Sequence, residues 1–247
     1  MRLRATRSSV ASGGAEASLW TPANIGSSLK LWLDASDLTT LTVSSSKVTQ
    51  WDDKSGNANH AVQGTSDNQF LSGTRTLNGK NVIEAVTNDF MLADFSPLLA
   101  AQPTTILGVV GFDDSGVDNS FVDGEGGNRI LLRRASQNRT VFWSGTFLTN
   151  YDTVANDTII FTALANTTAS EISINGGTPA TGDIGSGQLS NRIRITNNDG
   201  IWAELLVCEG FLSASEQDKA EGYFAHNWGL TANLPADHPY KSSAPTV

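Results

Sequence analysis

Hydrophobic and polar positions alternate with a period of two along much of the chain. Leu29, Leu31 and Leu33 interleave with Lys30, Trp32 and Asp34, predicting a strand with one face on a core. Residues 192–196 are cleaner still, with Ile193 and Ile195 on one face and Arg192 and Arg194 on the other. Further strands are expected over 105–112, 129–133, 140–143, 158–164, 171–174 and 201–208. Asn78-Gly79 and Asn175-Gly176 are hairpin signals, because both residue types tolerate positive φ. Short strands joined by polar turns predict an all-β sandwich of two packed antiparallel sheets.

One helix breaks the pattern. Ser213 followed by Glu216 forms a capping box, and Ala220, Tyr223 and Phe224 share a face at i, i+3 and i+4. Gly229 after Trp228 supplies a left-handed stop. Beyond it, Leu234-Pro235 and His238-Pro239-Tyr240 read as an extended segment laid back on the domain. There is no internal repeat and no interior linker. The expected organisation is a basic arm over 1–18, one sandwich over 19–240 and a short tail over 241–247.

Composition narrows the function classes. The chain has 247 residues, only 17% of them charged, with 23 glycines, which suits many polar turns. A net charge of −9 argues against a nucleic-acid partner, whose phosphates would want a basic face. No stretch approaches the ~18–20 apolar residues of a membrane span. The first twenty residues lack the apolar core of a secretory signal, so export by its own N-terminus is not expected. Cys208 is the lone cysteine and sits in an apolar run, which excludes an internal disulfide and predicts a buried, inert thiol. Arg2, Arg4 and Arg7 make the N-terminal arm basic, suited to docking on an acidic surface of a sister subunit or larger assembly.

Several motifs carry a resemblance. Leu31-Trp32-Leu33-Asp34-Ala35-Ser36-Asp37, then Val48 with Trp51-Asp52-Asp53-Lys54-Ser55-Gly56-Asn57, is similar to the opening of laminin-G-like, concanavalin A-like domains. Such domains occur in bacteriophage virion proteins and bacterial surface proteins. Asn78-Gly79-Lys80 resembles the family's central turn. The close is the most specific part: Leu212-Ser213, Glu216, Ala220-Glu221-Gly222-Tyr223, Ala225-His226, Trp228-Gly229-Leu230, Leu234-Pro235 and His238-Pro239-Tyr240. The chain departs from the family at 84–88. The resemblance implies a concanavalin A-like jelly roll of two antiparallel sheets with one short C-terminal helix. It further implies that Trp51 packs the sandwich, that Asp53 and Ser55 shape a turn, and that the helix seals one end. The superfamily includes lectins, laminarinase-type glucanases and purely structural modules, so the fold alone does not give the function.

Catalytic chemistry finds little footing. Glycoside hydrolysis commonly uses two carboxylates flanking the bond, and the Glu-x-Asp-x-x-Glu run of the glucanase branch is missing. The nearest pair, Asp123 and Glu125, falls in a glycine-rich loop that reads as a solvated turn. His60, His226 and His238 lie far apart, and no HExxH, CxxC or GxSxG pattern includes them. The expectation is a non-enzymatic protein with no catalytic residue. No cofactor is required; a structural calcium is the one candidate, on Asp113, Asp114, Asp118 and Asp123, whose oxygens suit that ion.

Glycan binding needs an aromatic ring beside hydrogen-bonding amides and carboxylates. Trp143, Asn150, Tyr151 and Asp152 have that composition. Two function classes follow. The first is a structural virion protein of a bacteriophage (head decoration, fibre or tail component), assembled in the host cytoplasm. It would be held to other virion proteins or sister subunits by its arm, with weak adhesion to cell-surface glycans. The alternative is a glycan-binding, lectin-like module of a bacterial surface protein, and a glycoside hydrolase ranks last.

Overall fold

A computed structural model describes residues 17–86, 88–99, 101–113, 119–124, 129–135, 139–150, 157–189, 191–197 and 199–247. Strands β1 (Leu29–Asp34), β2 (Leu41–Ser44), β3 (Lys47–Trp51), β4 (Ala61–Val62), β5 (Leu71–Leu77) and β6 (Lys80–Ala85) come first. Then follow β7 (Phe90–Asp94), β8 (Thr104–Phe112), β9 (Asn119–Gly124), β10 (Leu131–Ala135), β11 (Arg139–Trp143) and β12 (Phe147–Asn150). Strands β13 (Thr158–Ala165), β14 (Ser170–Ile174), β15 (Ala180–Gly182), β16 (Arg192–Thr196) and β17 (Gly200–Glu209) precede helix α1 (Ala214–Trp228).

All pairings between these strands are antiparallel. One layer runs β15–β14–β13–β8–β17, with β1 and the β5–β6 hairpin sharing the far edge of β17. The other runs β2–β3–β4–β7–β16–β9–β10–β11–β12. A bridge between Lys47 and Leu71 joins them. Between the layers lies the larger core, where Leu31, Leu33, Trp51, Ile83, Val110, Phe121, Phe142, Phe161, Ile193, Ile195 and Trp202 are buried. The all-β sandwich is the architecture the alternation predicts, its C-terminal helix the one the capping box predicts, and its jelly-roll-like form agrees with what the resemblance implies.

Helix α1 sits elsewhere than expected. It lies across the outer face of the first layer, where Ala220, Phe224, Ala225 and Trp228 pack on Leu107, Val109, Ile160, Leu206 and Cys208. It is a third layer, not a plug at one end. That explains a second departure: β1 is buried on both faces, Trp32 and Asp34 included, because Trp32 belongs to the helix-side core. A strand between two cores loses the clean alternation of a half-exposed one. Cys208 is buried there, and burial, with the charge of Glu216 adding, pushes its thiol up to about 12.

Local chemistry fixes the elements. The hydroxyl of Ser213 accepts from Glu216 N–H while Glu216 Oε2 accepts from Ser213 N–H, and Gly229 closes the helix at φ 68°. Asn78 and Gly79, with φ of 48° and 80°, turn β5 into β6. Asp53 Oδ1 accepts from Trp32 N–H and Ser55 N–H, and its Oδ2 from Asn59 N–H, so one carboxylate shapes the loop and ties it to β1. Past the helix, His226 Nε2–H donates to Tyr240 O at 2.9 Å, and Thr246 bridges to Leu19. Among the described residues, no helix is long and apolar enough to cross a membrane.

Candidate functional site

With α1 covering the first layer, no described element covers the outer face of the second layer. The registers place one cross-strand row on it: Val62, Leu92, Arg194, Asp123, Leu131, Trp143 and Phe147, each directly opposite the next. Every member is half-buried or exposed, while its strand neighbours Ala61, Ala93, Ile193, Val122, Leu132 and Phe142 are buried. Period-two geometry therefore makes a continuous strip of aliphatic, charged and aromatic side chains on this face.

The strip ends on two aromatic rings. Trp143 and Phe147 face each other across the β11–β12 hairpin with centroids 6.3 Å apart and planes at 41°. Phe147 is 61% exposed. The Arg133 guanidinium lies 5.9 Å from the Phe147 centroid. Further along, Arg194 sits 3.6 Å from the centroid of Phe90. A half-solvated aromatic pair can stack on the C–H face of a sugar, and guanidinium groups along the same face can donate to its oxygens.

Of the residues expected to bind glycan, Trp143 lies on this strip. Asn150 does not: it is 2% exposed, and its Nδ2 donates to Ile172 O at 3.1 Å. The reason is parity, since Asn150 pairs with buried Thr140 on the inner side of β12. Tyr151 and Asp152 lie outside the described residues. Of the calcium candidates, Asp113 is engaged by Arg75 and Asp123 by Arg129 at 3.0 Å. Asp114 and Asp118 are outside the described residues, as are Glu125 and Arg2, Arg4 and Arg7 of the arm.

A second concavity, of about 240 Å³, lies between α1 and strands β13 and β14, lined by Thr162, Glu171, Ser173, Phe211, Asp218 and Glu221. Behind it, single oxygens of Asp218 and Glu221 and a ring nitrogen of His238 lie within 4.8 Å of one another. The sequence hid this cluster, because His238 is separated from its helical partners by 17 or more residues. Glu221 Oε1 accepts from Thr162 Oγ1 at 2.6 Å and Ser173 Oγ at 3.2 Å. His238 Nδ1 accepts from Tyr240 N–H at 3.2 Å, so in the neutral ring Nε2 carries the proton and points it at Glu221 Oε2, 3.4 Å away. A metal on Nε2 would displace that proton to Nδ1, against the Tyr240 N–H. These residues fit a hydrogen-bonded anchor for the C-terminal segment better than a metal centre. Burial, then the charge of Glu221, raises the Asp218 carboxyl, while His238 acts the other way.

A third buried group is Glu204 on β17, under α1. Its Oε1 accepts from Trp32 Nε1 at 2.7 Å and Tyr223 Oη at 3.0 Å; its Oε2 accepts from Trp228 Nε1 at 2.7 Å and Asn227 Nδ2 at 3.2 Å. Both oxygens are saturated and enclosed, so this carboxylate fastens helix to sheet and has no room for a ligand. Nothing in the sequence singles it out beyond a carboxylate inside an apolar run.

Comparison with known proteins agrees with the fold. No protein-family model and no characterised protein sequence matches this chain. Among solved structures, domain 4 of AbnA, a GH43 extracellular arabinanase from Geobacillus stearothermophilus solved with arabinotriose, matches at TM-score 0.55 and 13% identity. The match covers 76% of this chain and 95% of that domain. The botulinum neurotoxin serotype D binding domain matches at TM-score 0.54 and 13% identity, over 78% of this chain and 50% of that one. Trypanosoma rangeli sialidase, solved with sialic acid, gives 0.53 and 10%, over 82% of this chain and 35% of the enzyme. The chain thus spans half or less of the toxin and sialidase chains, but nearly all of the arabinanase domain. At such identities the likeness is one of fold, an antiparallel β-sandwich.

Proposed function

We propose that this chain is a non-enzymatic, lectin-like module that binds glycans on the open face of its second layer. The carrying observation is the strip ending in Trp143 and Phe147, a partly solvated aromatic pair on a broad sheet face that no described element covers. A domain of the same architecture, in the arabinanase, was solved with a bound oligosaccharide, which supports the reading. Its non-enzymatic character is supported by the engagement of three described carboxylates. Glu221 is held by two hydroxyls and His238, Asp123 by Arg129, and Glu204 by four donors.

Within this reading, display on a bacteriophage particle is the setting we favour, on the strength of the sequence motifs and the basic arm bearing Arg2, Arg4 and Arg7. Display on a bacterial surface rests on the same motifs.

The test is a glycan array followed by calorimetric titration of any hit, with Trp143→Ala and Phe147→Ala in parallel. The proposal expects at least tenfold weaker binding for each variant, with melting temperatures near wild type because both rings are partly solvated. Wild-type affinity in both variants would reject the strip as the site.

A further inference from the structure

We infer that the open face selects anionic sugars, and that Arg194 is the residue that receives the acidic group. This rests on the glycan-binding reading above and adds the class of ligand.

Arg194 sits near the middle of the cross-strand row, between Leu92 and Asp123. Its guanidinium is stacked 3.6 Å from the Phe90 ring centroid. Stacking fixes the plane of the group and leaves its N–H fork at the edge, the geometry that matches a carboxylate or sulfate bidentately. The surrounding charges cancel in pairs. Arg192 Nη2 donates to Asp94 Oδ2 at 3.0 Å, and Arg129 Nε lies 3.0 Å from Asp123 Oδ1. Arg194 makes no hydrogen bond or ion pair among the described residues, so its donors are unspent. On a chain of net charge −9, an unspent guanidinium held flat on a sugar-binding face is a specific device. A solvated lysine would serve solubility as well.

The spacing sets ligand size. Arg194 and Trp143 are three strands apart, about 14 Å at ~4.8 Å per strand. One sugar ring cannot reach both. The ligand is therefore an oligosaccharide, with one unit stacked on Trp143 and Phe147 and an acidic unit over Arg194.

The experiment measures affinity for length-matched neutral, carboxylate-bearing and sulfated oligosaccharides, using the full chain. Wild type, Arg194→Gln, Arg194→Lys and Trp143→Ala are compared at low and physiological salt. Wild type is expected to prefer acidic over neutral ligands by tenfold or more, and Arg194→Gln to erase that preference. Arg194→Lys restores only part of it, because an ammonium lacks the fork. Trp143→Ala weakens neutral and acidic ligands alike. Preference for carboxylates alone, or sulfates alone, supports the inference and identifies the acidic group. Equal binding of neutral and acidic ligands, or a preference that survives Arg194→Gln, overturns it while leaving the glycan-binding reading intact. No binding of any ligand overturns both.

Discussion

Glu204 has a consequence for how the protein responds to pH. Burial pushes its carboxyl up to about 7, the charge of Asp34 adds to this, and hydrogen bonds from Trp228, Trp32 and Tyr223 oppose it. Asp34 is itself offset by Lys54, 2.9 Å away. Because the folded value lies above the ordinary 4.5, the native state holds this proton more tightly than the unfolded chain. The contribution to stability is thus greatest below the unfolded value and is lost as pH climbs through 4.5 towards 7. An upper bound is about 3 kcal/mol, at ~1.4 kcal/mol per pK unit. Glu204→Gln should flatten the slope of unfolding free energy between pH 5 and 7 relative to wild type; an unchanged slope would show that the carboxylate titrates normally. Trp51 belongs to the same scale. It is fully buried in the main core, and its Nε1–H has no hydrogen-bond partner among the described residues. Trp51→Ala should destabilise by about 3–5 kcal/mol, read by denaturant unfolding. Trp51→Phe should lose much less, since it also removes an unsatisfied donor.

At the scale of elements, α1 depends on a few local interactions and a large apolar footprint. Ser213→Ala removes the hydroxyl of the capping box and should lower stability by about 1 kcal/mol; a change above about 3 kcal/mol would mean that the turn before the helix has rearranged. The elements also show what alternation can reveal. β16 was legible because its isoleucines face one core and its arginines face solvent. β1 misled, since its polar-looking parity faces a second core that only α1 creates. β2, β3, β4, β7, β9, β12 and β15 lie outside the expected strands; among them β2 is almost wholly exposed and β4 has two residues, so neither buries enough to leave a pattern. The strip was half legible. The polar parity of Arg192 and Arg194 can be read from residues 192–196, but the stacking of Arg194 on Phe90 depends on the β7–β16 register, a non-local pairing. Asn150 shows the same limit, since its inward direction follows from pairing with Thr140.

The molecule is an acidic sandwich with one face sealed by a helix and one that no described element covers. Its two described chain ends meet: Trp20 N–H donates to Pro245 O and Val247 N–H to Ser18 O, both at 2.9 Å. Deleting residues 1–16 leaves these described contacts in place, and the melting temperature should not change. If the arm clips the protein to a particle or a sister subunit, the truncated chain should be a monomer by light scattering where the full chain assembles. Assembly without the arm would reject that role.

The central claim is that ligands meet the open face and not the concavity beside α1. The most direct measurement is NMR chemical-shift mapping of the isotopically labelled protein, titrated with an oligosaccharide identified on the array. Perturbations are expected on the row from Arg194 through Leu131 to Trp143 and Phe147, with Asp218, Glu221 and His238 unmoved. Perturbations centred on Asp218, Glu221 and Ser173, with the strip silent, would contradict it.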